Sequence, residues 1–81
     1  MKKEIIKFEN KYLSTLVFKM YKKVTPIFER DFQKFCLKYN LVCQIVVKKG
    51  WFKDMICLSI IGDEESTSRA IHYGILFENK K

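Results

Sequence analysis

Two apolar runs, Leu41 to Lys48 and Lys53 to Ile61, flank the short segment Lys49-Gly50-Trp51-Phe52, and this pairing constrains the fold more than any other feature. Val, Ile, Leu and Cys suit a pleated surface, and a glycine-bearing connection of a few residues joins antiparallel neighbours, so the segment predicts a β-hairpin. Both runs are apolar on nearly every residue rather than on alternate ones. That predicts a sheet covered on both faces, by helices or by a partner. Neither run approaches the ~20 residues of a membrane span.

Upstream of the hairpin the spacing is helical. From Asn10, read as an N-cap, apolar residues fall at Leu13, Leu16, Val17, Met20, Tyr21 and Val24, which predicts a helix to about Lys23. Thr25 as a second N-cap and Pro26 as a first-turn residue restart it. Phe28, Phe32, Phe35 and Tyr39 then fall within about 60° of arc at 100° per residue, a core face, with Cys36 alongside. Asn40 suits a left-handed C-cap. Before this broken helix, residues 3–8 read as a short strand.

After the hairpin, Asp63 followed by Glu64, Glu65 and Ser66 predicts an N-cap with acidic residues at the positive end of a helix dipole. Thr67, Ala70, Ile71 and Gly74 share a face, Gly74 stops the helix, and Ile75 to Glu78 form a last short strand. The competing reading is one strand from Arg69 to Phe77, with Arg69, Ile71, Tyr73, Ile75 and Phe77 alternating. The preferred order predicts an α+β domain, a small antiparallel sheet with a broken N-terminal helix packed on it, in the βαββαβ order of ferredoxin-like domains. A helical pair followed by a three-stranded β-meander is the alternative.

With 81 residues, residues 1–81 form a single small domain. A domain of this size buries only ~60% of the surface its unfolded chain exposes, so a homodimer would add stability that one chain lacks. The opening residues Met-Lys-Lys-Glu-Ile-Ile have no apolar core of a secretory signal. The expected location is cytoplasmic, with Cys36, Cys43 and Cys57 reduced.

The net charge is +7, with +5 carried by residues 1–24 and −1 by residues 63–81. Such an excess points to an acidic partner surface. Fourteen of the sixteen basic residues are Lys, the exceptions being Arg30 and Arg69. Arg is the side chain that reads guanine edges in a bidentate way, so the charge favours non-specific phosphate contact over sequence reading.

Two constellations carry this reading. Lys48, Lys49 and Lys53 surround Trp51 and Phe52 at the hairpin tip, the combination that stacks a base and holds its phosphate. The plainer alternative has Trp51 folded back as a lid on the core. On the predicted first helix, Lys11, Phe18 and Lys22 lie opposite the apolar stripe, with Lys19 and Lys23 on the same segment, which makes Phe18 an aromatic set among cations.

No enzymatic or cofactor chemistry is indicated. Cys36, Cys43, Cys57 and His72 lack the tight two-to-four-residue pairing of structural zinc sites, so no metal is expected and the cysteines read as small core residues. His72 has no marked carboxylate or nucleophile near it in sequence. The three glycines are isolated, which excludes a phosphate-binding glycine loop. The leading expectation is a non-enzymatic binding module that contacts nucleic acid or a nucleoprotein complex. In size and style the chain is also similar to small phage or mobile-element proteins, including anti-CRISPR inhibitors. That likeness implies the alternative, an inhibitor acting by binding a host protein.

Overall fold

The computed structural model describes residues 2–78, Phe8 by its backbone alone. Six elements follow in order: β1 (Lys2–Phe8), β2 (Lys11–Tyr21), α1 (Thr25–Lys38), β3 (Val42–Lys48), β4 (Lys53–Gly62) and α2 (Glu64–Glu78). The strands form one antiparallel sheet in the order β1-β2-β4-β3. The protein is therefore α+β, with two helices on a four-stranded antiparallel sheet. From β2 to α2 the chain follows the split βαβ plan of ferredoxin-like domains. The strand expected at residues 75–78 is replaced by β1, which reaches the same place beside β2 from the start of the chain.

Residues 11–21, expected as a helix, form β2 instead. Leu13, Leu16, Val17 and Met20 satisfy a helical face, yet the same stretch alternates, burying Ser14, Leu16, Phe18 and Met20. Its Thr, Val, Phe and Tyr residues suit a strand. Pairing with β1 on one side and β4 on the other gives its backbone groups their partners. Glu9 takes a left-handed conformation (φ 53°), so Asn10 belongs to a tight turn between β1 and β2 and caps no helix.

α1 starts where Pro26 places it, but Thr25 is its first residue and Val24 holds the N-cap position. The ladder begins one residue early because the Phe28 N–H already donates to the Val24 carbonyl at 2.9 Å. At the other end Asn40 is left-handed (φ 57°), as expected. The Leu41 N–H reaches back to Cys36 O at 2.8 Å and the Asn40 N–H to Leu37 O at 3.3 Å. These are the two bonds of a Schellman cap.

α2 opens as its sequence predicts: Asp63 Oδ1 accepts from the Ser66 N–H at 2.7 Å. It then runs through Gly74 to Glu78 as one helix, so neither a stop at Gly74 nor a strand over 75–78 or 69–77 forms. Thr67, Ala70, Ile71, Gly74 and Phe77 all face the core, a continuous helical stripe that outweighs the local alternation. Gly74 lets the helix lie close to the sheet, 3.8 Å separating an added Cβ from Leu58 Cδ1 and from Phe18 Cε1.

Both helices sit on the same face of the sheet. The core between them is built on aromatic rings: Phe28 meets Phe18 edge-on at 5.8 Å, stacks with Phe32 at 5.2 Å and meets Phe77 at 5.1 Å. Among the described residues no helix lies on the opposite face, so of the two covers expected there, helices or a partner, the helical one does not occur. The extra apolar residues of β2, β3 and β4 lie there, in rows set by the register. Ile6, Leu13, Ile61 and Val42 form one row, and Val17, Cys57 and Val46 another. Between them runs a polar row, Glu4, Thr15, Ser59 and Gln44.

Candidate functional site

The open face ends in lysines. Beyond the Val17-Cys57-Val46 row, which Lys2 completes on β1, the next row is Lys19, Met55 and Lys48, and Tyr21 pairs with Lys53 after it. Strand alternation aims all of these side chains to one side, because residues two apart share a face. Lys2, Lys19, Lys48 and Lys53 thus ring a depression of about 830 Å³ that is lined also by Val17, Phe18, Met55, Cys57 and Glu78. Lys53 Nζ lies 4.8 Å from the centre of the Tyr21 ring, a cation–π contact.

Beside the depression stands the β3–β4 tip. A Cβ at Gly50 would run into the Lys53 carbonyl oxygen, so only glycine lets the chain turn this tightly. Beneath the tip, Asp54 is 1% exposed and binds three ways. Its Oδ1 accepts from Lys22 Nζ at 2.8 Å and from the Gly50 N–H at 3.3 Å, and Lys49 Nζ lies 3.9 Å from Oδ2. Lys22, outweighing the cost of burial, holds the Asp54 carboxyl down at a pKa of about 2, with Thr25 and the Gly50 N–H assisting. The Lys22 N–H also donates to Phe52 O at 3.4 Å. Asp54 therefore ties the hairpin tip to the β2–α1 turn, and Lys23 in that turn joins the basic end.

Anchored at its base, the tip projects its aromatics. Trp51 is 92% exposed and Phe52 82% exposed, so Trp51 is no lid on the core. The lid reading fails because Phe18, Phe28, Phe32 and Phe77 already fill the interior.

The predicted site residues divide accordingly. Lys19, Lys22, Lys23, Lys48, Lys49, Trp51, Phe52 and Lys53 gather at one end of the sheet, although Lys22 is committed to Asp54. Phe18 lines the same depression but offers no exposed ring: it is 4% exposed, and in a strand it shares the inward side with Leu16 and Met20. Lys11 starts β2 and lies ten residues from Tyr21, roughly 30 Å away at ~3.3 Å per strand residue, so it is at the far end. The sequence marks neither Lys2 nor Tyr21 as a site residue; only the pairing of β1 and β4 with β2 brings Lys2 to the depression and Tyr21 beside Lys53.

The far end is close to balanced: Glu9, Asp63, Glu64 and Glu65 stand there with Lys7, Lys11, Lys38 and Arg69, and Arg69 Nη2 binds Glu65 Oε1 at 2.7 Å. Cys36 is buried, and that burial, with the adjoining Cys43 thiol, pushes its own thiol well up, so it stays protonated core. No group of three or more His, Cys, Asp or Glu placed to hold a metal occurs among the described residues. No helix among the described residues is long and apolar enough to cross a membrane. Comparison with family models, with curated proteins and with solved structures yields no match.

Proposed function

We propose that the protein is a non-enzymatic binding module whose basic end contacts single-stranded or unpaired nucleic acid. The observation that carries this is the juxtaposition of four lysines around one depression with two almost fully exposed aromatics at its side. Lys2, Lys19, Lys48 and Lys53 neutralise phosphates, while Trp51 and Phe52 offer ring faces on which unpaired bases stack. Stacking needs no base-edge reading, and lysine binds phosphate as a point charge, so affinity depends on salt more than on sequence. Asp54 serves this by holding the tip in place, which lowers the ordering cost on binding.

The same exposed tip supports a second reading, an inhibitor that anchors on a host protein, since Trp and large apolar side chains dominate protein interfaces. Fluorescence anisotropy of a labelled oligonucleotide separates the two. Under the nucleic-acid reading, combining Lys19→Glu, Lys48→Glu and Lys53→Glu abolishes binding, while Lys34→Glu with Lys38→Glu on α1 leaves most of it. Equal affinity in both variants, or no binding by the unaltered protein at low salt, removes the nucleic-acid reading in favour of the protein target.

A further inference from the structure

The edge strand β1 overhangs the helices. α2 packs mainly on β2 and β4, and α1 on β3, so the inward side of β1 is left open beside α2. Ile5 is therefore 48% exposed, although Ser14, its partner in register, is fully buried. Lys3 and Ile5 on β1, with Tyr12 and Ser14 on β2, form one wall of the resulting groove, and one stripe of α2 from Glu64 to Ile75 forms the other. The groove has a volume of about 250 Å³ and lies on the helix side of the sheet, away from the exposed tip.

Three features define what fits it. Its ends carry opposite charge: Glu64, which accepts from the Tyr12 hydroxyl at 3.5 Å, stands at one, and Lys3 at the other, with His72 two turns along α2 toward Lys3. Between the ends the walls are apolar, with Ile5 on one and Ile71 and Ile75 on the other. The floor carries the Ser14 hydroxyl, which is buried and has no hydrogen-bond partner among the described residues. Such a hydroxyl is costly to leave unpaired, and a polar ligand atom that reaches it offsets that cost.

We infer that this groove binds a short apolar peptide, two or three residues long, in its zwitterionic form. The peptide's ammonium meets Glu64 and the Tyr12 hydroxyl, and its carboxylate meets Lys3 and His72. A central peptide group pairs with the Ser14 hydroxyl, and small aliphatic side chains lie against the isoleucines. The length follows from the register. Lys3 pairs with Leu16, four residues along β2 from Tyr12, so the two ends are about 13 Å apart at ~3.3 Å per residue. The Lys3 and Glu64 side chains reach in from those ends, which leaves room for two or three extended residues at ~3.3–3.6 Å each. A free amino acid is too short to touch both charges, and an ω-amino acid of the right length has no polar group for Ser14. Because the groove and the tip lie apart, this site does not depend on the nucleic-acid reading.

Isothermal titration calorimetry of the full chain with the tripeptide Ala-Val-Ala tests this. The unaltered chain is expected to bind it saturably at millimolar concentration, and the N-acetylated and C-amidated forms about ten-fold more weakly, as loss of one charge-assisted contact requires. Ser14→Ala should weaken the tripeptide about ten-fold while leaving the affinity for ε-aminohexanoate, which has both charges but no peptide group, unchanged. At the exposed position 64, Glu64→Gln should close the gap between the free and N-acetylated peptides, with an unchanged far-ultraviolet circular dichroism spectrum showing that the fold survives. Lys19→Glu with Lys48→Glu should leave peptide binding as it was. Absence of saturable heat with the tripeptide overturns the inference. So does equal binding of the free and capped peptides, or an affinity for the tripeptide that Ser14→Ala does not change.

Discussion

Lys22 Nζ sits 2.8 Å from Oδ1 of Asp54, and this pair joins the β2–α1 turn to the base of the β3–β4 tip. The carboxylate is 1% exposed and also accepts from the Gly50 N–H, so its charged form is the one the fold requires. Because its pKa is lowered from the ordinary 3.8 to about 2, the stability it contributes is fully present above pH 4 and is lost as pH falls through 2. Thermal melts between pH 5 and pH 2 should show that loss, and Asp54→Asn should lower stability at pH 7 while flattening the acid limb. An acid limb unchanged in Asp54→Asn would mean that other carboxylates carry it.

Gly74 should be replaceable with profit. It lies mid-helix, where glycine is unfavourable by about 0.5–1 kcal/mol relative to alanine. An added Cβ would meet Leu58 and Phe18 at ordinary van der Waals distance. Gly74→Ala is expected to raise Tm by a few degrees in a chain of this length. A fall in Tm would show that the helix lies closer to β2 and β4 than described.

Ser14 is fully buried in β2, and its hydroxyl has no hydrogen-bond partner among the described residues. A buried unpaired hydroxyl costs about 1–3 kcal/mol, so Ser14→Ala should be neutral to stabilising in urea denaturation. Destabilisation by 1 kcal/mol or more would mean that Oγ has a partner after all.

The aromatics separate into two groups by burial. Phe28→Ala removes a ring in contact with Phe18, Phe32 and Phe77 and should cost about 3–5 kcal/mol, enough to unfold a marginal small domain. Trp51→Ala and Phe52→Ala, at exposed positions, should leave the urea midpoint within about 0.5 kcal/mol of its original value. Under the proposed function, Trp51→Ala alone should still weaken oligonucleotide binding, by the ~1–3 kcal/mol that a base–aromatic stack contributes.

The hairpin, α1 and both of its end signals were legible in the chain because each rests on local chemistry: a glycine turn between strand-forming runs, Pro26 in a first turn, Asn40 in a left-handed cap. β2 was not, since Leu13, Leu16, Val17 and Met20 satisfy a helical stripe and a two-faced strand equally well. Only the pairing with β1 and β4 decides between them, and that is a long-range fact. The same ambiguity reaches the site, because a helix turns Phe18 away from Leu16, whereas a strand sets the two on one side. The tip residues were found because a hairpin turn fixes them whatever surrounds it. Lys2 and Tyr21 join them only through sheet register, which no local pattern reveals.

Trp51 is the only tryptophan, so its fluorescence reports on the tip alone. Titration with a single-stranded oligonucleotide at increasing salt tests the central claim directly. The account predicts quenching, with log affinity falling against log salt at a slope near −3, as about four phosphate contacts at ~0.7 each require. An emission spectrum unchanged at low salt, from a protein shown to be folded, would contradict it.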